Sequence, residues 1–225
     1  MATSGSIDYK LTARGLVTQA LRKIGVMPVY QQSANADDMA QGVAELNMML
    51  KGWQLHGPNL WRQTEGSLAL TATTASYTLS PRPHRVIECR YRDANGRDLP
   101  MEELTREEYF EMPLKTATGI PTQFYFDPQV SSGKLYIWPV MAAVTSETIK
   151  YTYSRVFEDI DDVDDDIDVP QELTEVVMYG LADRLQNTYG LTNDRITLMA
   201  QTLFRQAESM DREPVIRFRP ERRWR

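Results

Sequence analysis

The last eleven residues, Val215-Ile-Arg-Phe-Arg-Pro-Glu-Arg-Arg-Trp-Arg225, carry the side chains best equipped for chemistry of a non-covalent kind. Five arginines (Arg217, Arg219, Arg222, Arg223, Arg225) stand against one acid, Glu221, with Ile216, Phe218 and Trp224 between them. A guanidinium offers a fork of donors to carboxylates and carbonyls, and an adjacent aromatic ring supplies contact area. These residue types concentrate energy at interfaces. The segment has too little apolar surface to fold alone, so it is expected to order on a partner. The candidate binding residues are Ile216, Arg217, Phe218, Arg219, Arg222, Arg223, Trp224 and Arg225. The plainer alternative is a basic, frayed terminus.

A second concentration of chemistry is acidic. Residues 158–168 are Asp or Glu at eight of eleven positions. Asp164, Asp166, Asp168 and Glu175 have the spacing of EF-hand loop positions one, three, five and twelve. The position that needs glycine for the turn is Val169, with Pro170 behind it, so calcium chelation is not expected. The run reads instead as a solvated linker and hinge. Its last acids lie at a helix start, where Asp168 and Gln171 have capping-box spacing and Pro170 suits the first turn.

Covalent and metal chemistry find no arrangement of residues. His56 and His84 have no Cys, His or carboxylate partner at metal-ligand spacing. Cys89, flanked by Val86, Ile87 and Tyr91, reads as a buried strand residue. Phosphate loops, dinucleotide fingerprints and nucleophile elbows do not occur. No catalytic residue, cofactor or metal is assigned. With 31 acids in the chain, composition alone leaves a two-carboxylate hydrolase open.

The elements that would position these residues follow from periodicity. A 225-residue chain with 42% hydrophobic residues can bury a real core. Its net charge of −6 argues against a broad basic face for nucleic acid. No apolar run approaches the ~18 residues of a membrane span, and the N-terminus lacks the character of a signal peptide. With one cysteine, the expectation is a soluble protein made in a reducing cytoplasm.

Leu16, Val17, Ala20, Leu21 and Ile24 predict a helix over 12–24 closed by Gly25. Met39, Val43, Leu46, Leu50 and Trp53 predict a second over 37–55, ended by Gly57-Pro58, with Met48 and Met49 as core or interface filler. From Glu65 to Phe157 the period becomes two. Strands are expected at 67–70, 76–79, 85–92, 122–126, 134–138 and 147–157, with a hairpin turn at Asp93-Ala94-Asn95-Gly96 and one short helix over 102–111. Helices return after Pro170, with stripes Leu173, Val176, Val177, Leu181, Leu185 and then Ile196, Met199, Ala200, Leu203, Ala207, Met210. The fold class is α+β: a four-helix bundle interrupted by an antiparallel β-sandwich or barrel insert, with an extended C-terminal tail. The corresponding divisions are 1–63 and 170–213 for the bundle halves, 64–157 for the β-domain, 158–169 for the acidic linker and 214–225 for the tail.

The order of motifs in the first 80 residues is distinctive. Ala20-Leu-Arg-Lys-Ile-Gly-Val-Met-Pro-Val29 leads to Ala34-Asn-Ala-Asp-Asp38, then Glu45-Leu-Asn-Met-Met-Leu50, Trp53, Gly57, Trp61 and Glu65-Gly-Ser-Leu68. This order resembles the head-to-tail adaptor proteins of short-tailed bacteriophages, also called tail accessory or tail tubular proteins. The later layout is similar too: an acidic stretch with proline, two closing helices and an extended C-terminus.

The resemblance implies a structural virion protein without a substrate. It would dock as a ring of about twelve copies under the portal, at the head-tail junction, after assembly in the host cytoplasm. Its partners would be the portal protein, a tail nozzle or tube protein, neighbouring copies of itself, and passing double-stranded DNA without sequence-specific binding. No membrane partner is implied. The ring would extend the DNA channel, help retain packaged DNA and offer a platform to the nozzle. Residues 216–225 would supply the portal contact. Two other classes compete: a virion-associated peptidoglycan hydrolase, and a DNA-binding module using the terminal arginines. The free chain is expected to be largely monomeric.

Overall fold

The structure is a computed structural model that describes Gly5, residues 9–56 and residues 60–210. The Gly57-Pro58 stop and the entire candidate binding segment, Ile216 to Arg225, lie outside the described residues. The chain divides into two compact units, Met1–Leu60 with Asp159–Arg225 and Trp61–Glu158.

In the first unit, α1 (Ala13–Lys23) begins at Thr12, whose extended backbone lets its hydroxyl accept from the Gly15 amide. Two further N–H groups of the first turn, those of Ala13 and Arg14, donate to the carbonyls of Asp165 and Val163 at 2.9 and 2.7 Å. The helix ends where Gly25 takes a φ of +80°, as its position in the sequence demanded. Ala13, Leu16, Val17, Ala20 and Leu21 are all fully buried. A Leu or Val taken wholly out of water contributes roughly 1.5–3 kcal/mol, so this stripe is a principal source of the unit's stability.

α2 (Ala36–His56) starts on Asn35, whose side-chain oxygen accepts from the Asp38 amide at 2.8 Å. Its buried residues Met39, Gly42, Leu46 and Met49 recur at spacings of three and four. Met49 is core filler, whereas its neighbour Met48 is half exposed. Gly42 is there for space: a Cβ would stand 2.3 Å from Val17 Cγ1. α1 and α2 thus approach more closely at that point than any side chain on Gly42 would permit.

The expected start of the third helix needs correction. Gln171–Leu173 form a 3-10 turn preceded by Pro170, and α4 (Thr174–Thr188) follows with Leu173 as its N-cap residue. Neither Pro170 nor Leu173 makes a side-chain cap hydrogen bond. Proline can open a turn by its fixed φ without any carboxylate cap. α5 (Asp194–Met210) starts on Asn193, which accepts from the Arg195 amide. α4 packs on α1, α2 and α5. Buried Gln186 fastens the last pair: its amide nitrogen donates to Asp183 and Thr197, and its oxygen accepts from the Asn193 amide.

The second unit is a seven-stranded sheet in the order β1-β7-β3-β4-β5-β6-β2. The strands are β1 (Gln63–Ala69), β2 (Ser76–Leu79), β3 (Arg85–Arg92), β4 (Asp98–Glu103), β5 (Gln123–Pro128), β6 (Gly133–Trp138) and β7 (Thr148–Ser154). Two departures from the sequence reading meet at one place. Residues 102–111 are not a single helix: β4 takes Glu102 and Glu103, and α3 is only Arg106–Glu111. β4 then pairs with β5 in parallel, through Glu102↔Gln123 and Glu103↔Phe124, so the sheet is not purely antiparallel. β4 escaped detection because it holds Pro100 and three acids and buries only Met101. The Asp93–Gly96 turn does join β3 to β4, with Arg92 opposite Asp98. The larger core of the sheet is built from Leu70, Leu79, Val86, Cys89, Tyr91, Met101, Phe124, Leu135, Ile137 and Ile149.

Candidate interaction surfaces

The acidic run is a strap, not a free hinge. Arg14 donates through Nε and Nη2 to the two oxygens of Asp164, at 2.7 and 3.1 Å. Lys51 pairs with Asp159 at 2.6 Å. Asn47 exchanges two 3.0 Å hydrogen bonds with the backbone of Ile160. Ile160 and Ile167 are buried, and Thr12 bridges Asp166. The sequence suggested solvation because eight acids dominate the run; its two isoleucines and its carbonyls do the docking. Asp165 turns its carboxylate inward to accept the amides of Asp161 and Asp162. The bond from Arg14 holds the Asp164 carboxyl below its ordinary value. Among the described residues, no group of three His, Cys, Asp or Glu is placed to hold a metal ion.

The residues weighed for covalent chemistry are dispersed. His56 ends α2 at the surface. His84 is half-buried, and burial with Arg62 and Arg82 nearby lowers its pKa. Cys89 lies in the sheet core, where burial and then Glu103 and Glu88 push its thiol far up, leaving no thiolate to react.

Three concentrations of exposed apolar surface occur among the described residues. On α5, only Ile196, Ala200 and Ala207 of the expected stripe are buried. Leu198 is 64% and Met210 77% exposed, and Met199 also faces outward. Beside the end of α5, a groove is lined by Glu172, Leu173, Glu175, Val176, Leu203, Ala207 and Met210. It adjoins a second depression lined by Tyr9, Leu11, Thr174 and Met178, which shares the same two glutamates. In the turn after α1, Val29 and Tyr30 are almost wholly exposed.

The third place is on the sheet unit. Tyr109 of α3 stacks on Tyr125, and Tyr125 stacks on Tyr136, with centroids 5.6 and 5.7 Å apart. Thr105 and Glu108 form a reciprocal capping box that fixes α3. The Thr105 amide holds the Glu108 carboxyl below its ordinary value. Lys115 lies over Tyr109 and Phe110 while donating to the carbonyls of Phe110 and Met112. The ring of Phe110, with Leu114 and Ile120, is left more than half exposed on this fixed base.

None of these patches was singled out from the sequence, where Leu203 and Met210 were assigned to the core.

The family model described as SU10 adaptor protein matches residues 11–223. The chain belongs to the SU10 adaptor protein family. The match spans both units of this adaptor and runs into the Arg-rich segment. Among solved structures, one titled "Virion of native gene transfer agent (GTA) particle" is similar over 87% of this chain and 93% of that one. Its sequence identity is 15% and its TM-score 0.28. No curated protein matches the adaptor. No helix among its described residues is long and apolar enough to cross a membrane.

Proposed function

We propose that the protein is a bacteriophage head-to-tail adaptor, a non-enzymatic virion component at the head-tail junction. The observation that carries this reading is the adaptor-family match over residues 11–223. In this reading copies of the chain, twelve in number, form a ring under the portal. The helices, acting as a bundle, face the portal and residues 214–225 extend along it. The sheet unit, with its Phe110, Leu114 and Ile120 patch, faces the tail nozzle. The ring prolongs the DNA channel, and a net charge of −6 suits a wall that DNA must slide past.

Three features support the assignment of partner surfaces. α5 keeps Leu198, Met199 and Met210 outward on the helix that leads into the Arg and aromatic segment. Arg and aromatic residues are favoured interface anchors. Asp164 and Asp166, two of the acids with metal-loop spacing, are engaged at the start of α1.

The test is to mix the purified protein with portal rings and measure mass. The free chain should be monomeric and the mixture should contain a closed ring of adaptors on each portal. Absence of association with the portal would remove the reading. Turnover of cell-wall glycan would replace it with the hydrolase, and DNA binding that falls steeply with salt would replace it with the nucleic-acid module.

A further inference from the structure

We propose that the groove between the start of α4 and the end of α5 is the seat of the chain's own C-terminal segment, residues 215–225, in the free protein. The inference concerns the chain before any partner is present and does not depend on which partner later takes that segment.

Charge is the first argument. Glu172 and Glu175 project where the two depressions adjoin. Both are exposed, and neither makes an ion pair or hydrogen bond to any other described residue. Elsewhere in the helical unit, Arg14 is engaged with Asp164 and Lys51 with Asp159. The groove therefore sets two exposed carboxylates over an apolar floor of Leu173, Val176, Leu203 and Ala207. Five arginines interleaved with Ile216, Phe218 and Trp224 are the complement of that surface.

Position is the second argument. Met210, the last described residue, itself lines the groove, so the chain leaves α5 at the groove's edge. Pro214 forbids simple continuation of the helix. The fifteen residues that follow Met210 can span about 50 Å when extended, more than enough to reach the second depression. In Val215-Ile-Arg-Phe-Arg219 apolar and cationic residues alternate. An extended backbone would place Ile216 and Phe218 on one side and Arg217 and Arg219 on the other. The second depression, bounded by Tyr9, Leu11 and Met178, has a cavity volume of about 350 Å³, room for the Trp224 indole. Covalent linkage gives the segment a local concentration of about millimolar, so a shallow groove suffices. The same tether favours the chain's own segment over that of a second copy in dilute solution.

The experiment is disulfide trapping in the full chain carrying Met178→Cys and Arg223→Cys, oxidised at low concentration without any partner. Cys89 does not interfere, because it is buried in the sheet core and its thiol is pushed up. The expected product is a crosslinked monomer. Adding Glu172→Lys and Glu175→Lys should slow trapping about fivefold, the effect of reversing two exposed charge pairs. Circular dichroism should be unchanged. Phe218→Ala with Trp224→Ala, which alters no residue of the helices, should also slow trapping; this variant decides the matter if the lysine pair does not fold. Crosslinked dimers that rise with protein concentration would assign the groove to a second copy and overturn the proposal. Absence of crosslinking in the parent pair would overturn it as well.

Discussion

α1 and α5 have equally clear apolar stripes in sequence and opposite fates in the structure. Every stripe residue of α1 from Ala13 to Leu21 is sealed. Its N-terminus is capped by carbonyls of the acidic strap, and Gly42 of α2 yields it space. α5 buries three small or medium residues and leaves Leu198, Met199 and Met210 outside. One stripe is sealed throughout and the other only in part. Amphipathicity therefore identifies a helix face that wants cover without saying whether the cover comes from the same chain.

The comparison can be broken by substitution, and the largest effect should come from α1. Leu21→Ala should cost about 3 kcal/mol of stability by urea denaturation, from lost transfer energy and a residual cavity. Leu198→Ala with Met199→Ala should stay within about 0.5 kcal/mol per site by the same measurement, while portal association weakens. Equal losses from both helices would erase the distinction.

Gly42→Ala should come next. A methyl placed 2.3 Å from Val17 Cγ1 forces α1 and α2 apart. Overpacking of about 1–3 kcal/mol should outweigh the ~1 kcal/mol gain in helix propensity. Val17→Ala in the same chain should recover part of the loss. If Gly42→Ala is stabilising, the close approach does not govern the fit of the two helices.

A smaller effect is expected at Tyr189, whose hydroxyl donates to Asp38 near the start of α2. Burial, and then this bond, push the Tyr189 hydroxyl up to about 12. Because the folded value lies above the unfolded one near 10, its contribution is complete below about pH 10 and fades as pH rises through about 12. Tyr189→Phe should lose about 1 kcal/mol at neutral pH. In an absorbance titration it should remove one late-ionising tyrosine from the folded protein.

The smallest effect belongs to the strap. Hydrogen bonding by Arg14 lowers the Asp164 carboxyl, so that contribution is complete above the unfolded value and is lost as pH falls through the folded one. Asp164→Asn should make stability slightly less sensitive to acid below about pH 4, with little change at neutral pH, since exposed pairs contribute little. A large loss at neutral pH would mean that the carboxylate, rather than Ile160, Ile167 and the backbone bonds, fastens the strap.

Among the described residues, the parts legible in sequence are those governed by local rules. Thr12 marks a helix start because its hydroxyl caps a nearby amide, and Gly25 marks a stop because its φ is positive. Alternation located β2 and β3 to the residue and placed Ile149 inward in β7. The Asp93–Gly96 turn announced its hairpin. The α+β class follows from that change of period. β4 was illegible because its pairing, with Pro100 in it, is decided by β3 and β5 rather than by its own pattern.

What only the tertiary structure decided concerns faces and partners. Eight acids say "solvent" to any local reading, yet the run is held by Arg14, Asn47, Lys51 and the first amides of α1, from distant parts of the chain. Leu203 and Met210 fit a core stripe in sequence but border an open groove beside α4. Local propensity depends on neighbours within a turn or two, and sequence fixes it. Whether an apolar or charged side chain finds cover depends on elements a hundred residues away, and that is settled only when they pack.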